Sequence, residues 1–214
     1  DSTDDFPGMA RNLAFSLALY SGQMCTAPQN IYVPAGGIVT PQGRMTFDEV
    51  ARGLATALEK LTADPAKAVE LTGAIQSEAV AVRIEQARAL GLPVIADSRS
   101  LAHPQFAGAR VRTPLLLSAR AGNEAILREW FGPVAFVVAT DSTAHSLELA
   151  GRVAREHGAM TLSAYTTDAG VAEQVREVAE MAGVALSLNL TGPVFVNQSA
   201  AFSDFHGTGA NPAA

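Results

Sequence analysis

The single cysteine of this chain, Cys25, is the residue best suited to nucleophilic chemistry, and it is predicted to lie in a loop. The non-periodic segment 23–28 follows a predicted helix over residues 7–20 and precedes a short apolar strand over residues 30–34. A thiolate is a strong nucleophile, and a loop held between a helix and a strand often carries one. A lone cysteine is more often a small buried apolar residue, so composition alone leaves both interpretations open.

A second candidate is the segment 128–134, in which Glu129 and Phe131 precede a Gly132-Pro133 turn and an apolar strand. The ionised carboxylate of Glu129 can accept hydrogen bonds but cannot donate them. By residue type alone, Glu129 is equally a solvated surface carboxylate and Phe131 a core aromatic.

The four histidines predict no metal site. His145 and His157 lie twelve residues apart in one predicted helix and therefore occupy different faces of it. His103 precedes a proline in a predicted loop, and His206 lies in the C-terminal tail. A metal site needs ligands at helix or hairpin spacing, and these positions do not provide it.

The composition indicates a folded protein without the charge pattern of a nucleic-acid binder. Hydrophobic residues make up 48% and charged residues 17% of the 214 positions, which is too apolar for a disordered chain. The net charge of -6 argues against nucleic acid as a partner. The apolar run at 13–20 is too short to cross a bilayer, so we expect no membrane partner. A single cysteine without a secretory signal favours a cytoplasmic location.

The pattern of elements predicts a three-layer α/β/α fold with a mainly parallel sheet. Apolar strands without period-2 alternation are interleaved with capped helices in the second half of the chain, as in sheets covered on both faces. Further strands are predicted at 92–96, 111–118, 134–140, 160–165, 184–188 and 194–197. Further helices are predicted at 47–61, from 65, at 75–90, 143–157 and 169–181. We expect Cys25 and the 129–133 turn to meet at the carboxyl ends of strands, where open α/β sheets bind ligands.

Three motifs, in order along nearly the whole chain, resemble the aldehyde dehydrogenases. Ser21-Gly22-Gln23-Met24-Cys25-Thr26 is similar to the cysteine segment of that family. Glu129-Trp130-Phe131-Gly132-Pro133-Val134 resembles its Glu-x-Phe-Gly-Pro-Val motif. Gly192-Pro193-Val194-Phe195-Val196-Asn197 resembles its Gly-x-x-x-x-Asn strand.

The resemblance implies a role for each of three residues and a nicotinamide cofactor, NAD or NADP. Cys25 would attack an aldehyde to give a thiohemiacetal and then a thioester. Glu129 would accept hydrogen bonds from the nicotinamide ribose, and Phe131 would flank the nicotinamide ring. Water would release the acid; in the alternative of an acylating enzyme, coenzyme A takes the acyl group. A non-catalytic scaffold domain with a buried cysteine is the second alternative.

The C-terminal tail departs from the usual family pattern. Residues 203–212, with the sequence SDFHGTGANP, are similar to the aldehyde dehydrogenases of bacterial phenylacetic acid degradation, the PaaN type. This likeness implies an aldehyde from aromatic catabolism, and a coenzyme-A-linked aldehyde is one form that it allows. Phe202, Phe205 and His206 are candidates to line its pocket.

The resemblance covers only the catalytic domain of the family. We therefore expect residues 1–214 to be that domain, truncated at both ends, with the cofactor-binding domain and the general base elsewhere in a longer polypeptide. The full-length protein is then expected to be a homo-oligomer, and this chain alone is expected to be inactive.

Overall fold

The computed structural model describes residues 1–195. Asn197, Phe202, Phe205 and His206, and the end of the strand predicted at 194–197, lie outside these residues. The helices are α1 (Phe6–Ala18), α2 (Phe47–Leu61), α3 (Pro65–Thr72), α4 (Glu78–Arg88), α5 (Thr143–His157) and α6 (Ala169–Ala182). The strands are β1 (Asn30–Pro34), β2 (Ile38–Thr40), β3 (Gly43–Met45), β4 (Val94–Ala96), β5 (Ser100–Leu101), β6 (Val111–Arg112), β7 (Leu115–Arg120), β8 (Val134–Thr140), β9 (Thr161–Ala164) and β10 (Ala185–Leu188).

The central sheet has the strand order β1-β8-β7-β4 and is mainly parallel, as predicted. β8 pairs in parallel with β1 on one side and with β7 on the other. Only β4, at one edge of this sheet, runs antiparallel. β9 and β10 form a separate parallel pair, and no described hydrogen bond joins β9 to β1.

Alternate residues of β7 and β8 supply two separate cores, which confirms the three-layer arrangement. Leu116 and Val137 pack with apolar side chains of α1 and α2 on one face of the sheet. Leu117 and Phe136 pack with α4 and α5 on the other face. Because both faces are covered by helices, these strands are continuously apolar and show no period-2 pattern.

The start of α2 follows the sequence, whereas α1 ends earlier than predicted. Thr46 and Glu49 form the predicted reciprocal capping box of α2. The helix predicted to reach residue 20 ends at Ala18, and Tyr20 and Ser21 take left-handed conformations with φ of 51° and 54°. The buried Ser21 hydroxyl donates to the Thr72 carbonyl, so a tertiary contact helps set this end.

Three further differences arise from local chemistry that hydrophobic periodicity does not capture. The strand predicted at 111–118 is divided at Pro114, which has no N–H to donate to a neighbouring strand, so β6 pairs with β5 and β7 enters the central sheet. The hairpin of β2 and β3 was not predicted. The helix predicted at 75–90 is shorter because Ser77 caps it and residues 75–77 stay outside.

Within residues 1–195, no helix has the length and apolarity needed to cross a membrane.

Candidate active site

Cys25 lies in the loop between the end of α1 and β1, and its side chain is exposed to solvent. A turn in which the Ala27 N–H donates to the Met24 carbonyl, at 3.0 Å, shapes the loop around it. The interpretation of Cys25 as a small buried apolar residue is therefore wrong for this chain. An exposed thiol on a shaped loop is accessible to an electrophile.

The cysteine loop packs directly against the turn that carries Glu129. Gly22 has φ of +61°, and a Cβ built at this position would lie 2.4 Å from the Gly132 carbonyl oxygen. A side chain at residue 22 would therefore both strain the backbone and overlap the turn. The absence of a side chain at Gly22 thus lets the backbones of the two motifs approach each other.

A cleft of about 50 Å³ forms where these segments meet, and Cys25, Glu129 and Phe131 all line it. The structure therefore brings together the three site residues within 1–195 that the sequence nominated. The predicted edge of the sheet, however, is wrong. Residue 25 precedes β1 and residues 129–133 precede β8, and because these strands are parallel the cleft lies at their amino ends.

Glu129 presents its carboxylate to solvent from a fixed turn. Within the described residues, its carboxylate accepts no hydrogen bond and forms no ion pair, and its side chain is exposed. The next residue, Trp130, is only 2% exposed and donates from its indole N–H to the Ala125 carbonyl at 2.7 Å. Arg128 covers the Trp130 ring at 3.8 Å from its centroid. The carboxylate is therefore available to a ligand on a rigid base.

Phe131 is half-buried and contacts the core between the sheet and α4. Its carbonyl oxygen accepts a hydrogen bond from Arg83 at 3.2 Å. Part of the ring thus packs in the core and part lines the cleft, so the two interpretations of this residue are compatible.

Gln29 is a residue of the site that the sequence analysis missed. Its side-chain amide donates to the Arg128 carbonyl at 2.9 Å and accepts from the Trp130 N–H at 2.6 Å. These peptide groups lie on either side of Glu129. A glutamine just before a strand has no distinctive spacing, so the residue could be recognised only once the two segments met.

A second, larger cavity of about 760 Å³ extends from the same place along β1, β9 and α5. Cys25, Gln29 and Glu129 line both cavities. Burial raises the pKa of Tyr32 and that of Tyr165, both on the walls of the larger cavity, to about 12. No motif in the sequence pointed to this cavity.

The histidines of the described region take structural positions. The His103 ring nitrogen accepts from the Gln105 and Phe106 N–H groups and so caps a turn. His145 pairs with Asp141, one turn earlier on the chain, at 3.0 Å. In residues 1–195, no cluster of histidine, cysteine and carboxylate side chains has the geometry of a metal site.

These observations define a class: an α/β domain with a candidate thiol nucleophile and a candidate hydroxyl-binding carboxylate in one cleft. The chain belongs to the aldehyde dehydrogenase family, because the model of that family matches residues 1–203. A comparison with curated protein sequences gives no significant match.

Solved structures agree with this assignment. An NAD-dependent aldehyde dehydrogenase from Burkholderia multivorans is 63% identical, with a TM-score of 0.92 over 99% of this chain and 38% of its own. A putative methylmalonate-semialdehyde dehydrogenase from Sinorhizobium meliloti 1021, complexed with NAD, is 17% identical over 89% of this chain and 38% of its own, with a TM-score of 0.62. An NADP-dependent glyceraldehyde-3-phosphate dehydrogenase from Bacillus halodurans C-125, complexed with NADP, is 18% identical over 91% of this chain and 39% of its own, with a TM-score of 0.55. The last two share the fold, and this chain spans well under half the length of all three.

Proposed function

We propose that residues 1–214 are the catalytic domain of a longer NAD(P)-dependent aldehyde dehydrogenase in which Cys25 is the nucleophile. The observation that supports this most is the cleft where the exposed Cys25 thiol and the exposed Glu129 carboxylate meet. The cofactor-binding domain and the general base then belong to other parts of the polypeptide. The relative from Burkholderia multivorans, of which this chain covers 38%, supports a longer protein.

Cys25 carries the covalent chemistry of this proposal. Its thiolate sulfur forms a bond to the aldehyde carbon, and the carbonyl π electrons move to oxygen to give a thiohemiacetal oxyanion. By the family resemblance, the Cys25 backbone N–H is the donor that this domain provides to that oxygen. Re-formation of the C=O leaves a thioester on Cys25, and the hydride lost from the carbon would pass to the oxidised nicotinamide when that cofactor is bound. Attack by water then releases the acid and returns the thiolate.

Glu129 and Phe131 are proposed to hold the cofactor. When bound, NAD or NADP supplies the hydride acceptor. A carboxylate with no partner in the described part of the chain can accept from both ribose hydroxyls, and the half-buried Phe131 ring offers an apolar contact beside it. The Burkholderia protein is NAD-dependent, the Sinorhizobium protein is complexed with NAD and the Bacillus protein with NADP, which supports this class of cofactor.

The substrate is proposed to be an aldehyde of bacterial aromatic catabolism, as in PaaN-type enzymes. The support is the sequence of the tail, in which Phe202, Phe205 and His206 would line the pocket. A coenzyme-A-linked aldehyde is the form that the likeness favours. The same likeness supports a cytoplasmic homo-oligomer, and coenzyme A in place of water as acyl acceptor is the alternative for the last step.

The proposal is tested by variants of the full-length protein assayed for nicotinamide reduction at saturating aldehyde. Cys25→Ser should lower kcat by about 10³-fold or more, because Cys25 is the one cysteine in the 214-residue sequence and a hydroxyl is a much weaker nucleophile than a thiolate. Glu129→Gln should raise the KM for the cofactor by about tenfold with a smaller change in the KM for aldehyde, because charge-assisted acceptance is lost. A Cys25→Ser enzyme at the wild-type rate would refute the assignment. When free coenzyme A is added to the same assay, formation of an acyl-coenzyme A thioester would show that coenzyme A takes the acyl group in place of water.

A further inference from the structure

We propose that Gln29 is a positioning residue that holds Glu129 in register with Cys25. This inference rests on the proposed function and adds to it a residue outside the motifs that carried the family resemblance. Gln29 lies four residues after Cys25, and its side chain binds the peptide groups before and after Glu129. It therefore connects the nucleophile loop to the carboxylate turn.

The geometry of the contact resembles one residue of a β-bridge. In a parallel sheet, a residue is held when a neighbouring strand donates to the preceding carbonyl and accepts from the following N–H. The Gln29 amide does this for Glu129, with 2.9 Å to the Arg128 oxygen and 2.6 Å to the Trp130 nitrogen. Both flanking peptide planes are thereby fixed, and with them the direction of the Glu129 side chain.

Gln29 can hold the turn because its own backbone is anchored in the central sheet. Its carbonyl oxygen accepts from the Phe136 N–H of β8 at 2.8 Å, immediately before β1 begins. The glutamine therefore extends from the rigid start of the parallel sheet rather than from a mobile loop. A shift of the Glu129 turn relative to Cys25 must break at least one of its bonds.

A carboxamide of this length satisfies both peptide groups at neutral pH. The amide nitrogen donates and the amide oxygen accepts, whereas an ionised carboxylate accepts only and a methionine does neither. Gln29→Glu places an acceptor against the Arg128 carbonyl and retains the contact to Trp130. Protonation of the new carboxyl group would restore a donor, so this variant should recover at low pH and Gln29→Met should not.

The kinetic test uses the full-length enzyme. Gln29→Met should raise the KM for NAD(P) by about tenfold, the equivalent of losing two neutral hydrogen bonds, and change the KM for aldehyde by less than about twofold. The pH dependence is measured as a ratio: kcat/KM for the cofactor in Gln29→Glu divided by kcat/KM for the cofactor in Gln29→Met. This ratio should rise as the pH falls, because only the Glu variant regains a donor on protonation. A ratio that does not depend on pH would overturn the role of the amide donor.

Gln23 provides a matched control in the same loop. Its amide donates to the Tyr20 and Ala74 carbonyls and accepts from the Gln76 N–H at 2.9 Å, so it ties the loop to a different segment. Gln23→Met removes contacts of the same kind without touching the Glu129 turn. We expect less than about a twofold change in the cofactor KM. An effect equal to that of Gln29→Met would overturn the inference, because any loosening of the loop would then suffice.

Hydrogen exchange gives a readout that is independent of activity. The Trp130 N–H donates to Gln29, so exchange in a peptide that spans 128–134 should accelerate in Gln29→Met and stay unchanged in Gln23→Met. Unchanged exchange in Gln29→Met would show that Gln29 does not hold the Glu129 turn, and would overturn the proposal. In a third outcome, exchange accelerates in Gln29→Met and Glu129→Gln raises the cofactor KM, but Gln29→Met leaves the cofactor KM unchanged. That outcome overturns the positioning role of Gln29 and leaves the proposed function in place. If Glu129→Gln leaves the cofactor KM unchanged, the cofactor assignment fails first.

Discussion

The small cleft at the amino ends of β1 and β8 and the large cavity between β1 and β9 differ in what forms their walls. Motif side chains line the cleft of about 50 Å³, and the Gln29 bonds and the Gly22–Gly132 contact hold its two sides together. The cavity of about 760 Å³ is bounded by strand edges and by the apolar face of α5. Cys25 and Glu129 line both spaces, but the hydrogen bonds that position the Glu129 turn cross the smaller cleft.

The backbone pattern shows why the cavity walls are different. The Gln29 carbonyl accepts from the Phe136 N–H, and the Ala35 N–H donates to the Thr140 carbonyl. The N–H and C=O groups of the odd-numbered residues from 29 to 35 therefore face β8. The backbone groups of Asn30 and Tyr32 consequently face the cavity. The buried Asn30 Oδ1, on the cavity wall, accepts no hydrogen bond from the described residues. Two side-chain hydrogen bonds thus join the sides of the cleft, whereas Asn30 Oδ1 on the cavity wall accepts none from the described residues.

The largest effect should follow from separating the two sides of the cleft with Gly22→Ala. The new methyl group meets the Gly132 carbonyl and the backbone keeps an unfavourable φ, so the free energy of unfolding should fall by about 2–4 kcal/mol. In the full-length enzyme kcat/KM should fall by about a hundredfold. Urea denaturation and steady-state kinetics measure these changes. Gly36, which has open space around its Cα, is the control, and equal losses in Gly36→Ala would contradict the close approach.

An intermediate effect is expected at the cavity wall at alkaline pH. Burial raises the pKa of Tyr32 from its usual value of 10.0 to about 12, so the native state keeps a proton that the unfolded chain loses in this pH range. The stability that this tyrosine contributes is complete below about pH 10 and declines as the pH rises to about 12, by roughly 2 kcal/mol. Tyr32→Phe should remove this part of the pH dependence in urea denaturation.

The exposed Tyr20 serves as the control for Tyr32. Tyr20→Phe should leave the alkaline loss of stability as in the wild type. Tyr32→Phe should also leave the rate of Cys25 alkylation within about twofold, because the cavity wall supports the fold rather than the thiol. A large change in alkylation would show that the two regions are coupled and would weaken the comparison between them.

The smallest effect should come from adding volume to the cavity. Ala154 lies on α5 at the cavity wall, and Ala154→Leu should change the free energy of unfolding by less than about 1 kcal/mol, since leucine is a good helix former with space to occupy. Ala135, 1% exposed in β8, is the packed counterpart, and Ala135→Leu should cost about 1–3 kcal/mol. Thermal denaturation compares the two. Equal costs would show that the cavity wall is packed as tightly as the sheet.

Much of this fold could be predicted from local chemistry. The Thr46–Glu49 capping box, the Ser142 and Asp168 caps and the apolar strands β1 and β8 are short-range patterns, and each is found within a residue or two of its predicted place. The break at Pro114 was also readable, since proline cannot donate to a neighbouring strand, although the prediction missed it.

The position of the cleft was predicted on the wrong edge of the sheet for an instructive reason. The prediction applied the general preference of α/β sheets for ligands at the carboxyl ends of strands. Chain order already contradicted it, because the cysteine loop and the Glu129 turn each precede their strand. Parallel pairing of β1 with β8 then brings the two segments to the same amino edge.

By itself, the sequence determined the residue types for the chemistry: one thiol, one carboxylate before a glycine-proline turn, and the strands and caps around them. Residue type and short spacing act within a few positions along the chain, so they can be read directly. The tertiary structure alone decided that Gly22 meets Gly132, that Gln29 spans Glu129, and that β9 stands apart from β1. Gln29 and Glu129 are separated by 100 positions, and the hydrogen bonds around Glu129 form only when packing of the sheet brings the segments together.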